Sequence, residues 1–504
     1  MVSLSHNTKR LAMMSMNRIR SACAAIGLLT LSVSYAQVPL VVTLVPGKPV
    51  LPLGNFDLAR QHYLVEEYFL SGTASSYQTV GTPGADGHWD VKDAATAAYT
   101  TRVVVVRPSS AARFNGTVVV EWLNVSAGTD SGPDWNYTHR ALLRDGYAYV
   151  GVSAQKAGIE GGGMLGIPGI LALKKADPER YAALNHPGDA FAFDIFTQAG
   201  KAVRDAIGGG RLLGPLVPRH LLATGESQSA VFLTTYVNAV DPVAKVFDGF
   251  LIHSRFGSGA PLDGASPGST RVTVPAALKI RTDVRKPVLM FISETDLMSP
   301  MGYLIARQDD NEHLRTWEVA GTAHADTYTL TGAAVDSGQA SVEDLAKAFA
   351  PTRSVLGMEF GQAINSAPQH HYVMVAALTA LNRWIVSGKR PPQAPRLMVG
   401  DSTPPLLQLD PYGNALGGVR SPWVDVPAAR LSGLGQTGSR MAFLFGVTEA
   451  FDSTRLAQLY PGGRKEYLKK FGAALRAAVR AGFILSADRA EIAALAAASL
   501  PSGW

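Results

Sequence analysis

The chain has 504 residues, 47% hydrophobic and 17% charged, with a formal net charge of +6. That length exceeds one minimal domain and can bury a large core with one or two additions. The single cysteine, Cys23, falls in an N-terminal segment expected to be removed. A cysteine nucleophile, a zinc–thiolate site and a disulfide are therefore excluded from the mature chain.

Lys9, Arg10, Arg18 and Arg20 precede an apolar run from Ala22 to Val33, and Ser34 and Ala36 supply small residues where a signal peptidase reads. Residues 1–36 are expected to be a signal peptide cleaved before Gln37, with Met16 an equally good start. As an uncleaved anchor the apolar run is too short to span a bilayer comfortably. The expectation is a secreted or periplasmic protein with no integral membrane segment after cleavage. Removal leaves 42 Lys and Arg against 40 Asp and Glu, a net charge of +2, which gives no electrostatic case for nucleic acid. Nothing in the sequence speaks to the oligomeric state.

From about residue 60 to 390, short β-rich runs alternate with helix-length segments, which predicts an α/β fold with a mostly parallel sheet and helices on both faces. Strands are expected at 63–70, 99–107, 117–123, 147–153, 220–224, 246–253, 287–293 and 315–319, making an eight-stranded sheet. The loops SGTASSYQ and RPSSAARFNG leave no room for helices between the early runs, so the first strands should meander antiparallel before βα alternation begins. The stretch 157–186 mixes glycines with apolar residues and is a candidate lid-like insertion. KRPPQAP after 388 marks a boundary: 37–390 is expected to be the catalytic domain, and 391–504 a mainly helical C-terminal extension packed on the core. Within it, the Ala- and Leu-rich stretch 473–497 is expected to be one packed amphipathic helix.

GESQS at 225–229 follows the apolar run HLLAT and precedes the helix-length stretch 230–240, closed by Asp241 and Pro242. A serine on such a strand-to-helix turn needs tiny flanking residues so that strand and helix can approach, and Ser229 stands where a second glycine is usual. Ser227 is the candidate nucleophile, and it requires a base and an oxyanion hole. After PVLMFI come Glu294 and Asp296, and Asp296 is the candidate orienting acid with Glu294 its competitor. LRTWEVAGTAH places His324 just after the last strand as general base and acid. His253, which ends a strand, and His370 and His371, which open a helix, are read as structural. The oxyanion donors are expected to be the backbone amides of Gln228 and Val125, with Asn124 the alternative to Val125. Arg420 is read as a structural or surface arginine, with carboxylate binding the alternative. Gly208, Gly210 and Gly214 precede a strand instead of following one, which removes a dinucleotide reading. No metal-ligand motif occurs, and the proposed chemistry needs no cofactor.

EWLNVS, GYAYVGVSAQ, NHPGDAFAFDIF, GESQSA, ETDL and GTAHAD, in this order, resemble the α/β-hydrolase superfamily across residues 60–390. More specifically they are similar to the bacterial family described as alpha/beta hydrolase domain-containing protein, and DPYGNALGGVRSPWVDVP extends the likeness. Glu226 also resembles its counterpart in the GESAG elbow of carboxylesterases and cholinesterases, where a carboxylate can support the turn. The resemblance implies hydrolysis of a small-molecule ester through an acyl-enzyme. Acyl transfer on the same three residues, or a binding protein that keeps the fold without catalysis, remain alternatives.

Overall fold

Successive residues of the central strands pack to opposite sides of the sheet. Val118, Val120, Leu221, Ala223, Phe250, Ile252, Val288 and Met290 enter one hydrophobic cluster, and Val119, Leu222, Leu251, Leu289 and Phe291 enter another. Because both faces are covered, these strands read as near-continuous apolar runs. The computed structural model describes residues 39–163, 169–205, 211–265, 274–298, 300–355, 357–438, 441–501 and 504. The expected signal peptide, residues 164–168 of the lid-like stretch, Gly208 and Gly210 lie outside them.

Nine strands form the main sheet in the order β1-β2-β3-β5-β4-β6-β7-β8-β9. They are β1 (Val41–Val45), β2 (Tyr63–Thr79), β3 (Val91–Pro108), β4 (Thr117–Trp122), β5 (Ala148–Val152), β6 (His220–Glu226), β7 (Gly249–His253), β8 (Val288–Ile292) and β9 (Leu314–Glu318). The β1, β2, β3 and β5 neighbours are antiparallel. From β5 through β4 to β9 every pairing is parallel. The fold is the expected α/β type with a mostly parallel sheet.

Three expectations need correction. The sheet has nine strands, not eight: β1, an apolar but largely exposed edge strand, lies upstream of the stretch from about residue 60 in which strand–helix alternation was expected. SGTASSYQ is not a loop but the outer half of β2, paired with β3 out to Thr79–Val91. Its small side chains fit because Gly72 leaves room for Gln198, Leu40 and Tyr99, each within 3.4 Å of where its Cβ would stand. The C-terminal stretch is two helices, Gly463–Ala481 and Arg489–Ala498, not one. Gly482 at φ 86° ends the first by donating its N–H to the Ala478 carbonyl, a left-handed cap suited to glycine.

The helix after β6 also runs past its expected stop. Gln228–Thr235 continues through one wide turn, Tyr236–Val240, into Asp241–Ala244. The widened turn stands immediately before Pro242, which has no N–H to donate back to the preceding turn.

Helices Ala192–Arg204 and Gln228–Thr235 cover one face, with Phe193, Phe196 and Phe232 against Trp122 at ring separations of 5.8, 4.8 and 5.4 Å. Pro133–Arg144 and Gln369–Ser387 cover the other. Phe471, Leu475, Ile492 and Leu495 from the C-terminal helices join that second cluster, and Val38–Trp504 forms one compact unit. Among the described residues no helix is long and apolar enough to cross a membrane.

Candidate active site

The loops after β4, β6, β8 and β9 meet at the carboxyl ends of the parallel strands, the usual ligand edge of such sheets. Ser227 joins β6 to helix Gln228–Thr235 with φ 58° and ψ −120°. For a residue bearing a Cβ this conformation costs on the order of 1–3 kcal/mol, so the surroundings must impose it. Ser227 donates its N–H to the His253 carbonyl of β7 at 3.0 Å. A Cβ on Gly225 would lie 3.2 Å from the Ser229 backbone, which explains the tiny residues on both sides of the turn.

His324, in the loop after β9, places Nε2 2.7 Å from Ser227 Oγ and Nδ1 2.6 Å from Asp296 Oδ1. Asp296 lies in the one-turn helix Glu294–Leu297 after β8, and a reciprocal capping box fixes it. Ser293 donates its N–H to Asp296 Oδ2 at 2.6 Å, and Ser293 Oγ accepts the Asp296 N–H at 3.2 Å. Glu294 points elsewhere. Its two oxygens accept the N–H groups of Gly321 at 2.6 Å and Gly433 at 2.8 Å, binding the His324 loop to the C-terminal segment. Of the two candidate acids, the structure brings Asp296 and not Glu294 to the imidazole.

Gln228 opens its helix, where backbone N–H groups have no intrahelical acceptor. The Asn124 N–H is committed to the Ser131 carbonyl at 2.9 Å, whereas Val125 N–H finds no acceptor among the described residues. Val125 and Gln228 line one cleft of about 90 Å³.

The family model for the alpha/beta hydrolase domain matches residues 33–494. The chain belongs to this family. Comparison with curated proteins returns no match. Among solved structures, a Klebsiella pneumoniae protein assigned as a dienelactone hydrolase is 12% identical, with a TM-score of 0.28 over 49% of this chain and 85% of that one. An esterase from an Arctic intertidal metagenomic library is 12% identical, with a TM-score of 0.26 over 50% and 86%. A fungal esterase of Rhizomucor miehei is also 12% identical, with a TM-score of 0.25 over 50% and 75%.

Within this α/β-hydrolase, burial opposes the Asp296 carboxylate, but the charge and hydrogen bond of His324 and the bonds from Ser293 outweigh it, holding Asp296 below its ordinary range. Burial likewise pushes His324 down, and the charge and bond of Asp296 with the charge of Glu226 outweigh it, leaving the imidazole raised. The raised imidazole stabilises the fold below its unfolded value of about 6.5, and that contribution is lost as pH rises through the folded value. Asp296 contributes above its unfolded value of about 3.9 and loses its contribution as pH falls through the depressed one.

Glu226 does more than support the turn from below. Its Oε1 lies 3.4 Å from His324 Nε2, the nitrogen that faces Ser227. Asn124 Nδ2 holds it, donating to the Glu226 carbonyl at 3.0 Å and to Oε2 at 3.2 Å. Burial raises Glu226 to about 7, against the pull of His324 and His253.

The remaining candidates sit away from this chemistry. His253 is buried between Asp134, at 2.7 Å, and His370, at 2.9 Å. His371 Nδ1 bonds the Tyr137 carbonyl at 2.7 Å, and burial lowers it to about 3. Arg420 pairs with Asp410 and Asp425 at 2.9 and 2.7 Å, so it is structural. No group of three or more His, Cys, Asp or Glu among the described residues is placed to hold a metal. Sequence reading missed Thr295, whose Oγ1 accepts the His324 N–H at 3.1 Å, and Asn365, which donates to the Gly321 and Ser432 carbonyls at 3.1 and 3.0 Å. Neither residue carries a local motif.

Two outcomes follow from this arrangement. Glu294→Gln leaves one backbone N–H without its acceptor and should lower unfolding free energy by about 1–3 kcal/mol while reactivity toward a fluorophosphonate persists. Equal melting temperatures in differential scanning calorimetry would contradict the bracing role. Glu226→Gln removes a charge that raises His324, so the acidic limb of the kcat/KM–pH profile, displaced above 6.5 in the parent, should move to lower pH. An unmoved limb would contradict that coupling.

Proposed function

We propose that this α/β-hydrolase is an exported serine carboxylic ester hydrolase acting on a small-molecule ester without a cofactor. The observation that carries the reading is the continuous contact from Ser227 Oγ through His324 to Asp296, at 2.7 and 2.6 Å, on a strained strand-to-helix turn. Ser227 Oγ attacks the ester carbonyl as its proton passes to His324 Nε2, and Asp296 holds Nδ1–H and stabilises the imidazolium. The backbone amides of Gln228 and Val125 receive the oxyanion. His324 then protonates the leaving alcohol, and water, deprotonated in turn by His324, releases the acid and restores Ser227.

Ser227→Ala should abolish turnover of p-nitrophenyl butyrate with little change in melting temperature. Asp296→Asn should lower kcat by about 10⁴, because an amide orients the wrong imidazole tautomer. Turnover retained in Ser227→Ala would end this assignment. Export rests on the basic, apolar and small-residue pattern of residues 1–36. N-terminal sequencing of the exported protein should begin at Gln37; a start upstream of Ala22 would rule cleavage out.

A further inference from the structure

We infer that the cleft beside Ser227 takes a hydrogen-bond-donating substituent of the substrate, a hydroxyl or an ammonium, on Gln228 Oε1 and the Asp189 carboxylate. This deepens the ester-hydrolase reading and rests on it for the identity of the substrate as an ester. The argument starts at Trp122, whose indole N–H can only donate. It donates to Gln155 Oε1 at 3.0 Å, which fixes the orientation of that amide. The NH₂ of Gln155 is thereby turned to Asp189 Oδ2, at 3.1 Å. Gln155 Oε1 also accepts Gln228 Nε2 at 2.8 Å, so the Gln228 amide is oriented in turn.

The oxygen left over is Gln228 Oε1. It is buried, on a residue only 6% exposed, and has no hydrogen-bond partner among the described residues. A buried amide acceptor without a donor is costly, and a bound donor relieves that cost. Asp189 Oδ1 accepts the Lys156 N–H at 2.7 Å, and each carboxylate oxygen keeps a further lone pair. Both residues line the same cleft of about 90 Å³, with Phe232 as an apolar wall. Among the described residues that line it there is no lysine, arginine or histidine. The cleft thus offers two acceptors and one negative charge to a short substituent, and it disfavours a carboxylate. Because the backbone N–H of Gln228 belongs to the proposed oxyanion hole, a group bound to its side chain lies next to the scissile carbonyl.

The test compares kcat/KM for ethyl butyrate, ethyl β-hydroxybutyrate, ethyl β-aminobutyrate, ethyl hydrogen succinate and glycol monobutyrate. The hydroxyl and amino arms separate the two donors, and glycol monobutyrate places the hydroxyl on the alcohol side. At least one donor-bearing ester should exceed ethyl butyrate by about tenfold or more, and ethyl hydrogen succinate should fall below it. Asp189→Asn should shrink the advantage of the amino ester over ethyl butyrate, with folding checked by melting temperature. The same five esters are also titrated calorimetrically into Ser227→Ala, which reads the cleft without turnover. Cleavage of all five with equal kcat/KM, and equal affinity in Ser227→Ala, would overturn the cleft assignment and leave the hydrolase reading intact. Tighter binding of a donor-bearing ester to Ser227→Ala, with no ester cleaved by the parent, would uphold the cleft and end the hydrolase reading.

Discussion

The backbone of Ser227, held at φ 58° between β6 and its helix, is the constraint on which the site depends. A serine in a relaxed conformation would follow the strand or the helix and carry its hydroxyl into packed surroundings. Forced into this turn, it lifts Oγ toward the loops at the carboxyl edge of the sheet. The strain is sustained by what surrounds it: the hydrogen bond to His253, the close pass between Gly225 and Ser229, and buried packing along the following helix. Ser229 shows that the second flanking position need not be glycine. It is fully buried, and its CH₂OH group is the extra volume accommodated.

Once the hydroxyl is fixed, an imidazole must be held against it by a loop with little regular structure of its own. The fold does this with carboxylates and amides that bind backbone. Glu294 joins Gly321 to Gly433, Thr295 accepts the His324 N–H and donates to the Gly433 carbonyl, and Asn365 spans the Gly321 and Ser432 carbonyls. Burial raises Glu294 to about 7, partly offset by those two backbone donors. The cost of its charged form therefore grows as pH rises from the ordinary carboxylate range toward 7. Residues 432 and 433 come from the segment after the expected boundary at 390, which makes that segment part of the scaffold holding His324.

Strands β2 to β9 were legible because each contains a short apolar run between turn residues, and the strand–turn–helix order around Ser227 was legible for the same reason. What failed to show lies outside that pattern. β1 is an apolar run, VVTLV, but it precedes the strand–helix alternation, and the outer halves of β2 and β3 are rich in Ser, Thr and Ala, so only pairing with each other makes them strands. The break at Gly482 was hidden by a helix-favouring composition on both sides. At the site, chain order brought Ser227, Asp296 and His324 into view, but the choice between Asp296 and Glu294 depends on which way two neighbouring side chains turn. That is decided by Ser293 on one side and by Gly433, 139 residues away, on the other. Likewise, Val125 and Asn124 differ only in that Ser131 occupies the Asn124 amide.

Beneath the turn runs a buried polar chain that the chemistry itself does not use. Asp134, in the first turn of helix Pro133–Arg144, accepts a hydrogen bond from Thr224 Oγ1 of β6 and lies 2.7 Å from His253 Nδ1 of β7. His253 Nε2 meets His370 Nε2 at 2.9 Å, and Tyr137 lies 3.2 Å from His370 Nδ1. Two ring nitrogens at that distance need one proton between them. Burial lowers His370 against the pull of Asp326, whose Oδ2 lies 3.5 Å from Nδ1 and whose Oδ1 accepts the Tyr137 hydroxyl at 3.1 Å. Asp134, His253 and His370 thus form one continuous buried polar chain. It crosses from one covering helix, over β7, to the other. Apolar contacts would hold those helices against the sheet yet tolerate a small slide, whereas a chain of directional bonds does not. Since the carbonyl of His253 receives the Ser227 N–H, fixing β7 in this way also fixes the strained turn above it.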